Sequence, residues 1–303
     1  MKKFLPKYGF STILIVALTL QSSFCQVPDF SKVPSLHEGD SINITYLINN
    51  GVKITAGKAI CWFPKDSLSE QRMTEIANMI NTGIHGAEKF INAPLPWQMH
   101  PPSEPYTLYF RHDRFISHAS LAGFVCIPFW RIKEGKSPWL HEIIHEMLDA
   151  NTGTWFSKTI TDDEFNKNFP HWLSEGLPDY ISLTVSKAQN LPLFDVFSNS
   201  GLTNIDSLFM EDIKSDKGAY ILSFIGTKGV MPELSSKNRN LYAPAFYHGS
   251  NSFTHYLADN YGLKMLLTAF SQFKKELETI EKLTGKTLDV LKREWLAKLR
   301  STN

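Results

Sequence analysis

The residues His141-Glu142-Ile143-Ile144-His145 restrict this chain more than any other stretch. Histidines four apart on a helix stand one turn apart on the same face, so both imidazoles can reach one ion. The glutamate between them sits beside that face, close enough to take a proton from a water held by the ion. Ile143, Ile144, Met147 and Leu148 make this helix strongly apolar, which points to a buried location. Two histidines and two glutamates (Glu142, Glu146) on a buried helix need compensation, and a metal supplies it. The plainer alternative is a helix with two surface histidines.

A catalytic zinc takes a third protein ligand and keeps a fourth position open. The metzincin pattern needs a glycine three places after the second histidine and a third histidine six places after it. Leu148 and Asn151 stand at those places, which excludes that pattern. Two downstream glutamates are candidates instead. Glu175 lies thirty positions after His145, within His171-Trp172-Leu173-Ser174-Glu175-Gly176-Leu177-Pro178-Asp179-Tyr180. Glu164 lies nineteen positions after His145, in Thr161-Asp162-Asp163-Glu164-Phe165, which reads as a solvated acidic loop.

The length of 303 residues suits one large domain or two modest ones, and 43% hydrophobic content allows a sizeable core. A formal net charge of +1 implies no strong field, so nothing points to nucleic acid or an anionic membrane. Lys2, Lys3 and Lys7, the apolar run Phe10–Leu20 and then Ser22-Ser23-Phe24-Cys25 form a secretory signal pattern. The expected mature chain begins at Gln26 and is exported, to the periplasm or outside the cell. Acylation of Cys25 is the competing reading, with bulky Phe24 against it. The apolar run falls short of the roughly 20 residues of a membrane span, and no other stretch is long and apolar enough. Cys61 and Cys126 would then be the remaining cysteines, either paired or two separate buried thiols.

The β-branched residues of Ser41–Phe63 predict one or two strands with a turn at Asn49-Asn50-Gly51. Met73, Ile76, Ile80, Ile84 and Ala87 predict a helix over Ser67–Asn92. Tyr106–Phe110 and Phe124–Phe129 are strand candidates. A helix opens at Ser137-Pro138 and stops near Asn151-Thr152-Gly153. Gly153–Pro170 reads as a polar loop, and another helix begins near His171 or Trp172. Leu191–Leu241 shows no clear pattern. Helices follow at Phe246–Asn260, Lys264–Thr279 and Leu288–Leu299. Strands with a backing helix first and helices afterwards argue for an α+β fold. The expected organisation is a signal peptide over 1–25 and a single domain over 26–303, sheet-rich in 26–136 and helical in 137–303.

With the His-Glu-x-x-His motif before it, the Trp172–Tyr180 segment resembles the gluzincin peptidases, the superfamily of thermolysin and aminopeptidase N with its small members. The resemblance implies a zincin-like fold and one Zn²⁺ held by His141, His145 and Glu175. It gives Glu142 the role of general base and Asp179 that of orienting a ligand histidine. The nineteen-residue spacing of Glu164 is the one typical of aminopeptidase-N-like enzymes, so that ligand stays in play. Phe246–Leu257 is similar to the segment carrying a catalytic tyrosine. Aligned at Leu257, Tyr247 takes that place, with His248 beside it and Ser250 where a glycine is usual. Either would stabilise an oxyanion; the alternative is aromatic packing. By the same resemblance Leu121–Cys126 is an edge strand that pairs with substrate backbone. The likeness runs from about Tyr106 to Leu299 and lacks the segment with which aminopeptidase N reads a free amino end. It implies hydrolysis of peptide bonds in a peptide or protein. Two other readings are a zinc-bound module without hydrolytic activity, which intact Glu142 argues against, and a hydrolase of another amide such as cell-wall material.

Overall fold

A computed structural model describes residues 39–91, 105–114, 116–120, 123–148, 154–157, 159–192 and 204–302. Its sheet is built from Val52–Ala56 (β1), Ala59–Phe63 (β2), Tyr106–Arg111 (β3), His118–Ser120 (β4) and Phe124–Pro128 (β5). The strand order is β1-β2-β3-β5-β4. β2, β3 and β5 run parallel, and β1 and β4 close the two edges antiparallel. Parallel neighbours need a crossover, and the helix Glu70–Ile91 provides it between β2 and β3.

Alternation along the strands divides the sheet into two faces. Ala59, Cys61, Phe63, Leu108, Phe110, Val125 and Ile127 face the main core. Trp62, Tyr109, Phe124 and Cys126 face the helix Asp40–Asn50 (α1), where Ile44 and Leu47 cover them. Glu70–Ile91 (α2) lies on the main-core side with Met73, Ile76, Ile80, Ile84 and Ala87 buried. After the short helix Phe129–Lys133 (α3), the helix Trp139–Leu148 (α4) buries nearly every residue in this core.

The rest of the described chain is helical: Asp162–Asn168 (α5), His171–Ala188 (α6), Ile205–Asp212 (α7), Asp216–Phe224 (α8), Arg239–Tyr261 (α9), Leu263–Phe270 (α10), Glu276–Thr284 (α11) and Leu288–Thr302 (α12). The chain is therefore α+β, with a mixed sheet first and helices after it. No described helix is long and apolar enough to cross a membrane. The signal segment and the stop at Asn151–Gly153 lie outside the described residues.

Several expectations are corrected. Asp40–Asn50 is a helix rather than a strand: Ile44 and Leu47, three apart, are buried, while Ile42 is 75% exposed. Tertiary burial overrides the β-branched propensity there. Asn50-Gly51 ends this helix instead of turning a hairpin, and the β1–β2 turn falls at Gly57-Lys58. The acidic cluster is the first turn of α5, capped by Thr161 accepting from the Glu164 N–H at 3.2 Å. The helix expected over 264–279 breaks at Ser271–Lys275, where Lys274 has φ 62° and Glu276 turns in to accept from Trp155 Nε1 at 3.0 Å. Residues 124–128 are not the edge strand: β5 lies between β3 and β4, and the edge is His118–Ser120. Cys61 and Cys126 are separate buried thiols on opposite faces of the sheet, and burial pushes both thiol pKa values up.

His255 of α9 meets Tyr180 of α6 edge to face, ring centroids 4.5 Å apart. Burial, only partly offset by Asp259, holds its pKa below the usual 6.5. The fold therefore favours the neutral ring, and the unfolded chain takes up the proton first as pH falls. This contribution is complete above about pH 6.5 and is lost on acidification through that value. The thermal midpoint should drop further between about pH 7 and about pH 5 in the wild type than in His255→Gln. Equal drops in the two proteins would show that His255 carries none of it.

Candidate metal centre

Three helices meet at one point behind the sheet. α4 brings His141, Glu142 and His145, α6 brings Glu175 and Asp179, and α9 brings Tyr247. His171, Glu175 and Asp179 are each four residues apart, so they form a single stripe on α6 facing the histidine stripe of α4. One donor atom each from His141, His145 and Glu175 lies within 4.8 Å of the others. His141 Nε2 and His145 Nε2 are 2.9 Å apart, and Glu175 Oε2 is 3.5 and 3.6 Å from them. A tetrahedral ion bound at about 2.05 Å separates its ligands by about 3.3 Å, so the donor set and its spacing fit zinc.

His141 Nδ1 lies 2.6 Å from Asp179 Oδ1. A carboxylate only accepts, so Nδ1 carries a proton and Nε2 is the nitrogen turned toward the centre. This is how a ligand histidine is usually held by its outer partner. Burial opposes ionisation of Glu175, but His141, His145 and His171 outweigh it and hold the carboxyl well below the usual range. Burial likewise opposes a charged His141, yet Asp179 and Glu175 lift its pKa well above the ordinary value. The cluster attracts positive charge. Burial first, and then Glu175, push the Tyr247 phenol upward, so its hydroxyl keeps its proton and donates to Glu175. The Tyr247 ring lies 6.4 Å from that of His141. Glu142 is 5% exposed, beside His141 on α4.

Two candidates lie elsewhere. His248 is one residue past Tyr247, about 100° around the helix, and its Nδ1 pairs with Asp212 Oδ2 at 2.7 Å. Glu164 lies on α5, which buries no residue, and pairs with Lys274. It is not among the ligand atoms that converge.

His171 escapes a search for metal-binding motifs, although its place four residues before Glu175 was a usable signal. Its Nε2 is 3.6 Å from Glu175 Oε1, and its ring packs at a tilt against Phe246 and Phe169 with centroids 5.0 and 5.8 Å away. Nδ1 is buried without a hydrogen-bond partner. The tautomer with the proton on Nε2 avoids a stranded donor, and that proton faces Glu175. His171→Phe keeps the ring packing and removes the N–H. It is expected to weaken metal binding by about tenfold to a hundredfold, whereas His171→Gln restores a donor and most of the affinity. Chelator competition would measure this, and equal affinity in His171→Phe and wild type would remove His171 from the centre.

Comparison with protein-family models, characterised proteins and solved structures returns no match. The functional reading therefore rests on the sequence motif and on this geometry.

Proposed function

We propose that the chain is an exported zinc-dependent peptidase with a zincin-like fold, of gluzincin type. The observation that carries this reading is the convergence of His141, His145 and Glu175, with Asp179 on the outer nitrogen of His141 and Glu142 in the same turn of α4. The antiparallel edge strand β4, beside the parallel strands that α4 packs against, agrees with the fold reading. His141, His145 and Glu175 would hold the ion. When bound, zinc supplies Lewis-acid polarisation of a carbonyl and lowers the pKa of water.

The chain's own groups then divide the work. Glu142 accepts a proton from the attacking water at its carboxylate and passes it to the leaving amine. Tyr247 holds a hydroxyl proton that can be redirected from Glu175 to a developing oxyanion. Asp179 fixes the His141 ring, and His171 steadies the second oxygen of Glu175.

The test is zinc content together with cleavage of a fluorogenic peptide library by the purified mature chain, with and without chelator. About one zinc at this centre and chelator-sensitive cleavage are expected, and Glu164→Gln should change neither. Zinc without cleavage would favour a binding module or another amide substrate. Loss of the metal in Glu164→Gln would displace Glu175 as third ligand.

A further inference from the structure

A second cluster of metal-ligating side chains lies across the sheet from the first. Asp40 at the start of α1, His118 on β4 and Cys126 on β5 bring one donor atom each to within 4.8 Å of the others. Asp40 and Cys126 are fully buried, and His118 is 6% exposed. His118 and Cys126 are register partners across β4 and β5, so their side chains share a face of the sheet. It is the face that α1 covers.

Two of the three donors already have an outer partner of the kind that orients a ligand. His118 Nδ1 lies 3.2 Å from the Ile116 carbonyl. A carbonyl only accepts, so Nδ1 carries the proton and Nε2 is turned inward, 3.1 Å from Asp40 Oδ2. Nε2 and Oδ2 thus face each other inside the cluster, as two ligands of one ion do. The other oxygen of Asp40 is gripped by Arg111, whose charge is balanced by a two-pronged contact with Asp113. Oδ2 therefore faces the cluster while Oδ1 is held from outside.

We propose that Asp40 Oδ2, His118 Nε2 and Cys126 Sγ form a structural site for a divalent cation of zinc type, separate from the centre on α4 and α6. Imidazole, carboxylate and thiolate are a donor set suited to zinc. The 3.1 Å between Oδ2 and Nε2 is close to the ligand separation of about 3.3 Å in a tetrahedral site. On binding, the Cys126 S–H bond is replaced by a sulfur–metal bond and the proton leaves to solvent. The two negative charges of Asp40 and the thiolate then balance the ion, and Arg111 with Asp113 remains neutral. The site clamps α1 to the edge strand and makes no use of His141, His145 or Glu175.

The test uses Co²⁺ as the probe, added while the chain refolds. The first centre contains no sulfur, so thiolate-to-cobalt charge-transfer absorption reports the second site alone. His141→Ala/His145→Ala should still bind about one cobalt and show that absorption. Cys126→Ser in the same background should lose both, and Cys61→Ser should lose neither. Should the double variant fail to fold, the same band is sought in the wild type, where the first centre cannot produce it. Absence of the band, with no cobalt retained in the double variant, would overturn the proposal.

Discussion

Replacing Glu142 by glutamine is expected to leave metal affinity unchanged and to cut peptide hydrolysis by about a thousandfold, within the usual range for a general base. The carboxylate is not among the three donor atoms that converge, and its backbone lies in the first turn of a helix buried against the sheet. Glutamine has the same shape but cannot accept the proton. Metal content and turnover measured on the same sample separate two failures. Retained turnover would mean that another group takes the proton, and lost metal would mean that Glu142 is a ligand. Glu175→Gln should behave in the opposite way, losing metal first, because a neutral amide replaces an anionic ligand that three histidines surround.

A large loss of stability is expected at Gly176. The glycine lies on α6 beside the third ligand, where α6 crosses α9. A Cβ at this position would lie 2.5 Å from the Ser250 carbonyl oxygen and 2.4 Å from Thr254 Oγ1. A backbone oxygen cannot swing away as a flexible side chain can, so the helices must part. Overpacking of this kind usually destabilises by about 1–3 kcal/mol, and contact with backbone places Gly176→Ala near the upper end. The small gain in helix propensity, about 1 kcal/mol, does not offset it. Parting the helices also moves Glu175 away from α4, so denaturant midpoint and zinc affinity should fall together. A variant with wild-type stability would show that the crossing is looser than this contact implies.

The convergence of the candidate ligands was legible because it is written at helical spacing. His141 and His145 are four apart, as are Glu175 and Asp179, and the glycine after Glu175 marks the close crossing. α2 was legible for the same reason, since its buried residues recur every three or four positions. What escaped depends on contacts between distant parts of the chain. α1 is rich in β-branched residues and became a helix once Ile44 and Leu47 could cover the sheet. The partners Asp40 and Arg111 are 71 residues apart, beyond any local pattern. α7 and α8 begin at Asn204 and Ser215, whose side chains accept from the N–H groups of Ser207 and Gly218. The helices behind those caps are short and carry little periodicity, which is why the stretch shows no pattern in the sequence. Thr161 and Glu164 likewise stand at the spacing of a helix start, hidden by the acidic residues between them.

The ion pair between Asp40 and Arg111 also sets a limit on how far the chain can be trimmed from its front. Removal through Asp40 strips a fully buried guanidinium of one of its two carboxylates, and breaking a buried pair from one side costs about 3–5 kcal/mol. A chain cut back through Asp40 should therefore unfold at a lower denaturant concentration, because the sheet would then carry a guanidinium with half of its counter-charge gone.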